Sequence, residues 1–236
     1  ADSDHGTVTA SPNRAGRGQT VTITATPDEG YQVGTVTVTQ ANGSTVAVTD
    51  NGDGTYTFTM PGSRVDVRVT FVPEGTWVNP FYDVEADAWY YAAVRYVHEN
   101  GLMAGTSEHT FQPNANLTRA MIAQILYSLE GKPEQTGDTF DDVEAGAWYF
   151  DAVNWAASEG LVAGYGQGRF GPDNPITREQ LALILYQYAR YRGDDVSHEG
   201  TAVRSFADYD RISGWALEGG SWAVDMDLMS GTGDHA

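Results

Sequence analysis

The sequence contains no cysteine, and lysine occurs only once, as Lys132, among 236 residues. Without cysteine the protein has no disulfide, no thiolate metal site and no cysteine nucleophile. No apolar run approaches the roughly 20 residues that a membrane-spanning helix requires, so we expect no membrane insertion. Basic residues are also scarce: 13 Lys and Arg stand against 32 Asp and Glu, with a formal net charge of −19 and a pI near 4.3. This balance argues against nucleic acid as a partner, because phosphates are usually met by clustered Lys and Arg.

The composition is that of a folded protein, and the two halves of the chain differ in charge and in hydrophobic pattern. Hydrophobic residues make up 41% of the chain and aromatic residues 11%, which is enough to form cores and argues against disorder. The length favours two domains. Residues 1–73 hold 7 acidic and 4 basic side chains, whereas residues 74–236 hold 25 acidic and 9 basic ones. The hydrophobic period changes near the same boundary.

Residues 6–72 alternate apolar and polar side chains with a period of two, which is the pattern of half-buried β-strands. Turn sequences such as Asn42-Gly43 separate the short runs. The predicted strands contain residues 7–9, 20–24, 36–39, 46–48, 56–58 and 65–69. This pattern predicts a small antiparallel β-sandwich of immunoglobulin-like type over residues 1–73, followed by a linker at 74–80.

Three segments of the β half carry a family resemblance. Residues 28–31, 56–61 and 65–69 resemble the divergent Ig-like repeats of bacterial surface proteins. The resemblance implies that this half acts as a spacer or stalk.

An internal repeat with a period of 59 residues governs the second half. Residues 81–127 align with residues 140–186 without a gap, and 22 of the 47 positions are identical. A third copy starts at Phe206 and contains Gly231, and the sequence stops at Ala236 before this copy reaches its Thr-Arg element. Recurrence at this period predicts stacked supersecondary units that share a core.

Each full copy predicts a helix, a loop rich in glycine and proline, and a second helix. The first helix is predicted over residues 88–100, with Gly101 as its left-handed C-cap. The second helix is predicted to start after Thr118 as N-cap, and Thr177 with Gln180 fits a capping box in the second copy. The residues predicted to face the core are Ala92, Ala93, Tyr96 and Val97 in the first helix and Ile122, Ile125, Leu126 and Leu129 in the second.

The motifs that recur in register are Phe-x-Asp-Val, a tryptophan, Gly-Leu-x-x-Gly, Phe-x-Pro and Leu/Ile-Thr-Arg. Together they resemble S-layer homology domains, with repeats at residues 81–135, 136–200 and 201–236, the last one truncated. The resemblance implies an all-α pseudo-threefold bundle of helix–loop–helix repeats with grooves between neighbours. It also implies noncovalent attachment of an exported bacterial protein to secondary cell-wall polysaccharide, often pyruvylated, at an extracellular, cell-wall or S-layer location.

Arg119 and Arg178 occupy the first helical position after the N-cap, where the helix dipole disfavours a cation. A guanidinium at that place, together with free helix N–H groups, suits a carboxylate such as that of a pyruvate ketal. The alternative is an internal salt bridge, from Arg119 to Asp83 or to an acid of the adjacent repeat. The family resemblance favours ligand contact.

Three further sets of equivalent residues are candidates for the same grooves. A tryptophan offers an apolar face to a sugar ring and an N–H at its rim, with core filling as the alternative. The aspartates accept sugar hydroxyls, hold the arginine or serve as turn residues, and the glycines allow close ligand approach or simply form turns. With the arginines, the predicted ligand-binding residues are Asp83, Trp89, Gly105, Arg119, Asp142, Trp148, Gly164, Arg178, Asp208, Trp215 and Gly231.

Nothing in the sequence converges on catalysis, a cofactor or a metal. The five histidines lack the spacing of a metal site, and no nucleophile elbow is present. We therefore predict a non-catalytic module, without cofactor, that binds cell-wall polysaccharide. The alternative is a protein-binding adhesin or structural stalk whose partners are other surface proteins.

Overall fold

In the computed structural model the chain divides into two units, Ala1–Pro80 and Phe81–Ala236. The structure describes residues 2–135, 137 and 140–232. Within these residues no helix is long and apolar enough to cross a membrane. The half with period-two alternation forms the first unit, and the half with the internal repeat forms the second.

The described residues of the first unit form eight β-strands in two antiparallel sheets. The strands are β1 (Asp2–Ser3), β2 (Gly6–Ser11), β3 (Thr20–Pro27), β4 (Tyr31–Gln40), β5 (Thr45–Val46), β6 (Val48–Asp50), β7 (Thr55–Thr59) and β8 (Val65–Pro73). One sheet has the strand order β1-β2-β3-β7-β6 and the other has the order β5-β4-β8. The predicted antiparallel β architecture is confirmed.

The two sheets share one hydrophobic core. Ile23 of β3 is fully buried, together with Val38 of β4, Phe58 of β7 and Phe71 of β8. Burial alternates along β3, as the period-two pattern predicts. Gly6 of β2 faces the Phe71 ring so closely that a Cβ would lie 2.5 Å from a ring carbon, which excludes a larger residue there.

The described residues of the second unit form five α-helices and three short 3₁₀ turns. The helices are α1 (Tyr91–Glu99), α2 (Arg119–Leu129), α3 (Phe150–Ser158), α4 (Arg178–Arg192) and α5 (Leu217–Asp225). The 3₁₀ turns are Ala202–Ser205, Tyr209–Arg211 and Gly214–Ala216. The first repeat contributes α1 and α2, the second contributes α3 and α4, and the third contributes the turns and α5.

The helix ends follow the capping residues in the sequence. The Thr118 hydroxyl caps α2 by accepting a hydrogen bond from a backbone N–H in the first turn, at 3.3 Å. Thr177 and Gln180 form the predicted capping box on α4. Gly101, just after α1, has a φ of 65°, which is the left-handed conformation predicted for it.

The core of the helical unit lies around α2 and α3. Ile122 and Leu126 of α2 are buried, as predicted, in a cluster that includes Val153 of α3. Ile125 is half-buried, and Leu129 is exposed although the sequence predicted it to face the core. Leu129 is the final residue of α2 and is not among the buried residues of that helix.

Successive repeats join by packing the first helix of one repeat against the second helix of the repeat before it. Trp155 of α3 packs against Tyr127 of α2, with ring centroids 5.7 Å apart. Trp222 of α5 packs in the same way against Tyr186 of α4, also at 5.7 Å. The residue after each of these two tryptophans is a fully buried alanine. The same docking arrangement is therefore used twice.

The first helix has no equivalent neighbour among the described residues. Ala92, Ala93 and Tyr96 are exposed on α1, and Val94 is its one buried residue. The prediction that the face formed by these exposed residues lies in the core is therefore wrong. The equivalent face of α3 is covered by α2, whereas no helix in the described part of the chain covers this face of α1. The helix also starts later than predicted, since residues 88–90 form a turn.

Glu130, directly after α2, links this helix to α4. Its Oε1 accepts hydrogen bonds from the Tyr188 hydroxyl at 2.6 Å and from Arg192 Nη1 at 2.9 Å. These bonds lower the pKa of Glu130, whereas burial and the bond to Glu130 raise the pKa of Tyr188 to about 12. The junction is therefore held together while Glu130 is ionised and Tyr188 is protonated.

Replacing this carboxylate should destabilise the protein in a pH-dependent way. We expect Glu130→Gln to cost about 1 kcal/mol at pH 7, the usual net contribution of one such hydrogen bond. Because the folded pKa of Glu130 lies below the unfolded value of about 4.3, its stabilisation is complete above that value and disappears as the pH falls through the folded pKa. Urea unfolding at pH 7 and pH 3 measures both effects.

The matched control is Glu99→Gln, which removes the exposed pair between Glu99 and Arg95 within α1. This change should alter the unfolding free energy less than Glu130→Gln, because exposed ion pairs contribute little. An equal cost for the two variants, or a cost of Glu130→Gln that is the same at pH 3 as at pH 7, would contradict the assignment.

Candidate functional site

One tryptophan is exposed at the same position of each repeat. Trp89 is 92% exposed, Trp148 is 60% exposed and Trp215 is 53% exposed, each just before the first helix of its repeat. Trp89 and Trp148 each meet the following tyrosine edge-to-face, with ring centroids 5.4 and 5.1 Å apart. The alternative interpretation, that these three side chains fill the core, is therefore wrong. The core instead uses the other two tryptophans of the unit, on α3 and α5.

A guanidinium that the sequence analysis did not select lies beside Asp142. The Arg169 side chain is 71% exposed, and its Nε lies 3.8 Å from Asp142 Oδ2. Burial raises the pKa of the Tyr149 hydroxyl, with smaller contributions from nearby carboxylates that include Asp142, and the Tyr149 ring packs against Trp148. An exposed cation and a carboxylate thus lie together in the second repeat. Arg169 was missed because Thr110 occupies the equivalent position in the first copy.

The repeated aspartates hold the loop between the two helices. Asp83 accepts hydrogen bonds from the backbone N–H groups of Phe111 and Gln112, at 2.8 and 2.7 Å. Asp142 accepts the same pair of bonds from the second loop, from Phe170 at 2.7 Å and from the next residue at 2.9 Å. Burial raises the pKa of each carboxyl, but the N–H bonds outweigh it and the net pKa is lowered. Both carboxylates are therefore ionised loop anchors.

The N-terminus of α2 is occupied by the loop of the second repeat. The backbone N–H of Arg119 donates to the carbonyl of Asn174, and that of Ala120 donates to the carbonyl of Pro172, each at 3.0 Å. The third N–H, that of Met121, donates to the Thr118 hydroxyl. The expectation of free helix N–H groups beside Arg119 is therefore wrong.

The Arg119 side chain joins the first repeat to the second. The residue is 4% exposed, its Nε donates to the carbonyl of Phe170 at 3.0 Å, and its Nη2 donates to the carbonyl of Ala163 at 2.5 Å. The guanidinium lies 4.7 and 4.5 Å from the ring centroids of Tyr165 and Phe170. Its hydrogen-bond partners are backbone carbonyl oxygens. They differ from the internal salt bridge to a carboxylate that the sequence analysis gave as the alternative to ligand contact. Ligand contact at Arg119 stays a prediction.

Arg178 and Asp208 lie together in the third copy. Arg178 is exposed, and its Nη2 donates to the carbonyl of Ser230, which is the equivalent of Ala163. The Asp208 side chain makes no cap hydrogen bond to the 3₁₀ turn that follows it. Both residues, with Gly231, line a cleft of about 220 Å³. Ligand contact by these three residues also stays a prediction.

The glycines of the first two repeats are required by internal packing. A Cβ on Gly105, which has a φ of 85°, would lie 2.7 Å from the Phe81 ring and 2.7 Å from the Thr110 carbonyl oxygen. A Cβ on Gly164 would lie 2.5 Å from the carbonyl oxygen of Arg169. This packing explains the glycines without a ligand.

These features define a modular protein that combines a β-sandwich with helical repeats, each of which presents an exposed tryptophan. Within the described residues, no group of three His, Asp or Glu side chains is placed to hold a metal ion. Residues 80–121 and 139–182 match the S-layer homology domain, and residues 1–75 match the divergent InlB B-repeat domain. The chain therefore contains S-layer homology repeats, preceded by a divergent InlB B-repeat domain. The latter covers the half in which the sequence analysis found a resemblance to the Ig-like repeats of bacterial surface proteins.

Relatives of this chain include surface proteins and enzymes. The chain is similar to an endoglucanase of Bacillus sp. (strain KSM-635), at 30% identity over 66% of this chain and 16% of the relative. It is 29% identical to the S-layer protein sap of Bacillus anthracis, over 66% of this chain and 19% of the relative. A cellulosome-anchoring protein of Acetivibrio thermocellus is 31% identical over 43% of this chain and 26% of the relative.

The chain spans less than a fifth of the length of the first two relatives. The matched S-layer homology domain and the relatives named as an S-layer protein and a cellulosome-anchoring protein agree on attachment at the cell surface. The chain is therefore a cell-surface anchoring module with an extracellular, cell-wall or S-layer associated location.

Proposed function

We propose that the helical unit binds secondary cell-wall polysaccharide noncovalently and that the exposed tryptophans form the contact. The observation that carries this proposal is the exposure of Trp89, Trp148 and Trp215 at one repeated position. Large apolar side chains left in solvent at equivalent places indicate an interaction surface. An indole face complements the C–H face of a sugar ring, and its N–H can donate to a hydroxyl.

Short-range contacts must provide the affinity. Residues 74–236 carry 25 acidic and 9 basic side chains, so the helical half repels an anionic polymer at long range. Salt screens this repulsion, because the Debye length at physiological ionic strength is about 8 Å. Binding should therefore persist or strengthen as salt is raised, in contrast to phosphate-directed binding.

We further propose that the polysaccharide is pyruvylated and that Arg169, in the same repeat as Trp148, meets the ketal carboxylate. The exposed guanidinium can form charge-assisted hydrogen bonds to a carboxylate, and its contact with Asp142 at 3.8 Å is too long to be a hydrogen bond. Arg119 is nearly fully buried, which leaves Arg169 the better placed of these two cations for an external ligand.

We also propose that the helical unit belongs to a pseudo-threefold bundle. The docking of α3 on α2 and of α5 on α4 supports a rule in which every first helix packs on a preceding second helix. By that rule, the exposed face of α1 is also a docking face, for one more helix of the same type as α2 and α4. The repeat boundaries given above are part of this proposal.

The test is binding of the chain to pyruvylated cell-wall polysaccharide, measured by isothermal titration calorimetry. We expect Trp148→Ala to weaken binding about tenfold, which corresponds to a loss of about 1.4 kcal/mol. Combining it with Trp89→Ala and Trp215→Ala should abolish detectable binding. Arg169→Gln should weaken binding to the pyruvylated polymer and leave binding to the same polymer without its ketals unchanged.

The matched control is Tyr82→Ala. Tyr82 is a comparably exposed aromatic residue of the first repeat, but Asp141 and Ala207 take its place in the other copies, so it is not part of the repeated surface. Undiminished binding by the triple tryptophan variant would refute the proposal. Equal loss with Tyr82→Ala would show that exposed aromatic residues act nonspecifically.

A second candidate function, protein binding by an adhesin or stalk, is favoured by one observation. The face of α1 that carries Ala92, Ala93 and Tyr96 is exposed and suits another helix. Retention on cell walls from which polysaccharide has been stripped, and its loss in Ala93→Glu, would support this function over glycan anchoring.

A further inference from the structure

We infer that the β unit binds an acidic polysaccharide in which carboxylated sugars alternate with uncharged ones. The site is a depression of about 570 Å³ on the outer face of the β5-β4-β8 sheet, and its lining includes Thr37, Thr39, Arg64, Asp66 and Arg68. The sequence resemblance implied only a spacer or stalk for this half of the chain. The site uses none of the residues proposed for glycan contact in the helical unit.

The depression lies on the face of the sheet that is turned away from the core. Along β8, Val69 is buried in the core, whereas Asp66 and Arg68 are exposed. On the neighbouring strand β4, Thr39 pairs with Asp66 and Thr37 pairs with Arg68. Paired residues of neighbouring strands project to the same face of a sheet. The hydroxyls of β4 and the charges of β8 therefore form one continuous polar surface.

The two arginines of this surface are unpaired within the described part of the chain. Arg64 and Arg68 are both exposed, and neither guanidinium has an ion pair or a side-chain hydrogen bond with another described residue. Arg95 and Arg192 of the helical unit, in contrast, are each paired with a glutamate. An unpaired guanidinium presents a planar fork of N–H donors that matches the two oxygens of a carboxylate. Carboxylates are therefore the charged groups that the surface suits.

Several acidic side chains of the β unit lie at the opposite end of β8 from Arg64. Asp28 and Glu29 are in the turn between β3 and β4, and the N–H of Glu74, just after β8, donates to the carbonyl of Gly30 in that turn. The nine residues of β8 separate the two ends by about 30 Å. Because the Debye length is about 8 Å, these carboxylates do not cancel the positive potential around the arginines.

Asp66 determines how the charges of the ligand must be spaced. It lies between Arg64 and Arg68 in the sequence, and all three side chains are exposed at alternate positions. At the usual rise of a strand, Asp66 is about 7 Å from each arginine, which is within one Debye length. A polymer with a carboxylate on every sugar would place one of them against Asp66. A polymer with an uncharged sugar at that place would instead donate its hydroxyls to Asp66.

The hydroxyls of β4 favour a saccharide over an acidic peptide. The Thr37 hydroxyl donates to the Arg68 carbonyl at 3.4 Å, which is long for such a bond, and the Thr39 hydroxyl has no partner among the described residues. Threonine hydroxyls both donate and accept, as sugar hydroxyls do. An extended peptide binds by adding to the edge of a sheet, and this site lies on a face instead.

The experiment titrates hyaluronan fragments, in which carboxylated and uncharged sugars alternate, into the full chain carrying Trp89→Ala, Trp148→Ala and Trp215→Ala. This background removes the contact proposed for the helical unit, so either proposal can fail without the other. We expect saturable binding by isothermal titration calorimetry that weakens as salt is raised. Polygalacturonate, with a carboxylate on every sugar, should bind about tenfold more weakly. Uncharged dextran and a peptide of alternating glutamate and glycine should not bind.

Two arginine changes test the cationic part of the site. Arg64→Gln combined with Arg68→Gln should weaken hyaluronan binding by about tenfold or more, because both carboxylate contacts are lost. The matched control is Arg14→Gln, which removes an exposed cation of the same unit that does not line the depression, and it should leave the affinity nearly unchanged. Undiminished binding by the double variant, equal loss in Arg14→Gln, or equal binding of the peptide would overturn the proposal.

Asp66→Asn tests the spacing of charges. It should raise the affinity for polygalacturonate to nearly that for hyaluronan, because the repulsion between the two arginines is removed. Asp28→Asn makes the same change of charge at the other end of the unit and should not alter the preference between the two polymers. If polygalacturonate binds the parent chain as tightly as hyaluronan does, or if Asp66→Asn leaves the preference unchanged, the assignment of an alternating polymer is refuted.

Discussion

Arg119→Ala should destabilise the helical unit by about 3 kcal/mol. The change removes charge-assisted hydrogen bonds to the carbonyls of Ala163 and Phe170 and leaves the buried oxygen of Phe170 without a donor. Hydrogen bonds to charged groups contribute about 1.5–3 kcal/mol each, and an unsatisfied buried acceptor adds its desolvation cost. Urea unfolding followed by tryptophan fluorescence measures the loss, because Trp155 lies in the same buried core.

Arg178→Ala provides the matched control for this variant. Arg178 occupies the equivalent position on α4, but it is exposed and donates to one carbonyl, that of Ser230. Its removal should cost less than about 1 kcal/mol, the usual net value of one hydrogen bond. Equal effects of the two substitutions would show that the burial of Arg119 between Tyr165 and Phe170 does not matter for stability.

Gly219→Ala should destabilise the junction between α4 and α5 by about 2 kcal/mol. An added Cβ would lie 2.8 Å from Leu183 Cα and 3.0 Å from its backbone nitrogen, so a helix backbone rather than a flexible side chain would have to move. Overpacking of this kind costs about 1–3 kcal/mol. Thermal unfolding followed by the fluorescence of Trp222, which packs on α4 from the same face of α5, reports on this junction.

The adjacent Gly220→Ala makes the identical chemical change in the same helix. Beyond its chain neighbours and the backbone of its own helix, no described heavy atom lies within 4 Å of its added Cβ, so the higher helix propensity of alanine should stabilise α5 by about 0.5–1 kcal/mol. We therefore expect the two substitutions to change the free energy of unfolding in opposite directions. Destabilisation of similar size at both positions would mean that α5 does not approach α4 as closely as described.

Local features of the helical half were readable from the sequence because they depend on near neighbours in the chain. The N-cap of α2 at Thr118 and the capping box of Thr177 and Gln180 each involve residues within one helical turn. The left-handed Gly101 follows from its lack of a Cβ. The period-two strands and the 59-residue repeat were likewise visible without any knowledge of the fold.

The candidate site was only partly predictable, because its residues depend on contacts between repeats. The repeated tryptophans were recognised as candidates, but their exposure was not readable from their neighbours. The acceptors of Arg119 are backbone carbonyls 44 and 51 residues away, and such partners carry no side-chain signature. Arg169 escaped notice because it occurs in one copy, while the argument from repetition favours positions that recur.

The sequence by itself determined the two-part organisation, the repeat frame, the helix caps and the acidic surface, since these follow from composition and local patterns. Only the tertiary structure decided which equivalent residues are buried. Trp155 and Trp222 are covered because a preceding helix packs on them, whereas Tyr96, at the same position of α1, is exposed where no described helix precedes it. Whether a helix face is buried depends on the helix that packs against it, so equivalent positions of the repeats are buried in one place and exposed in another.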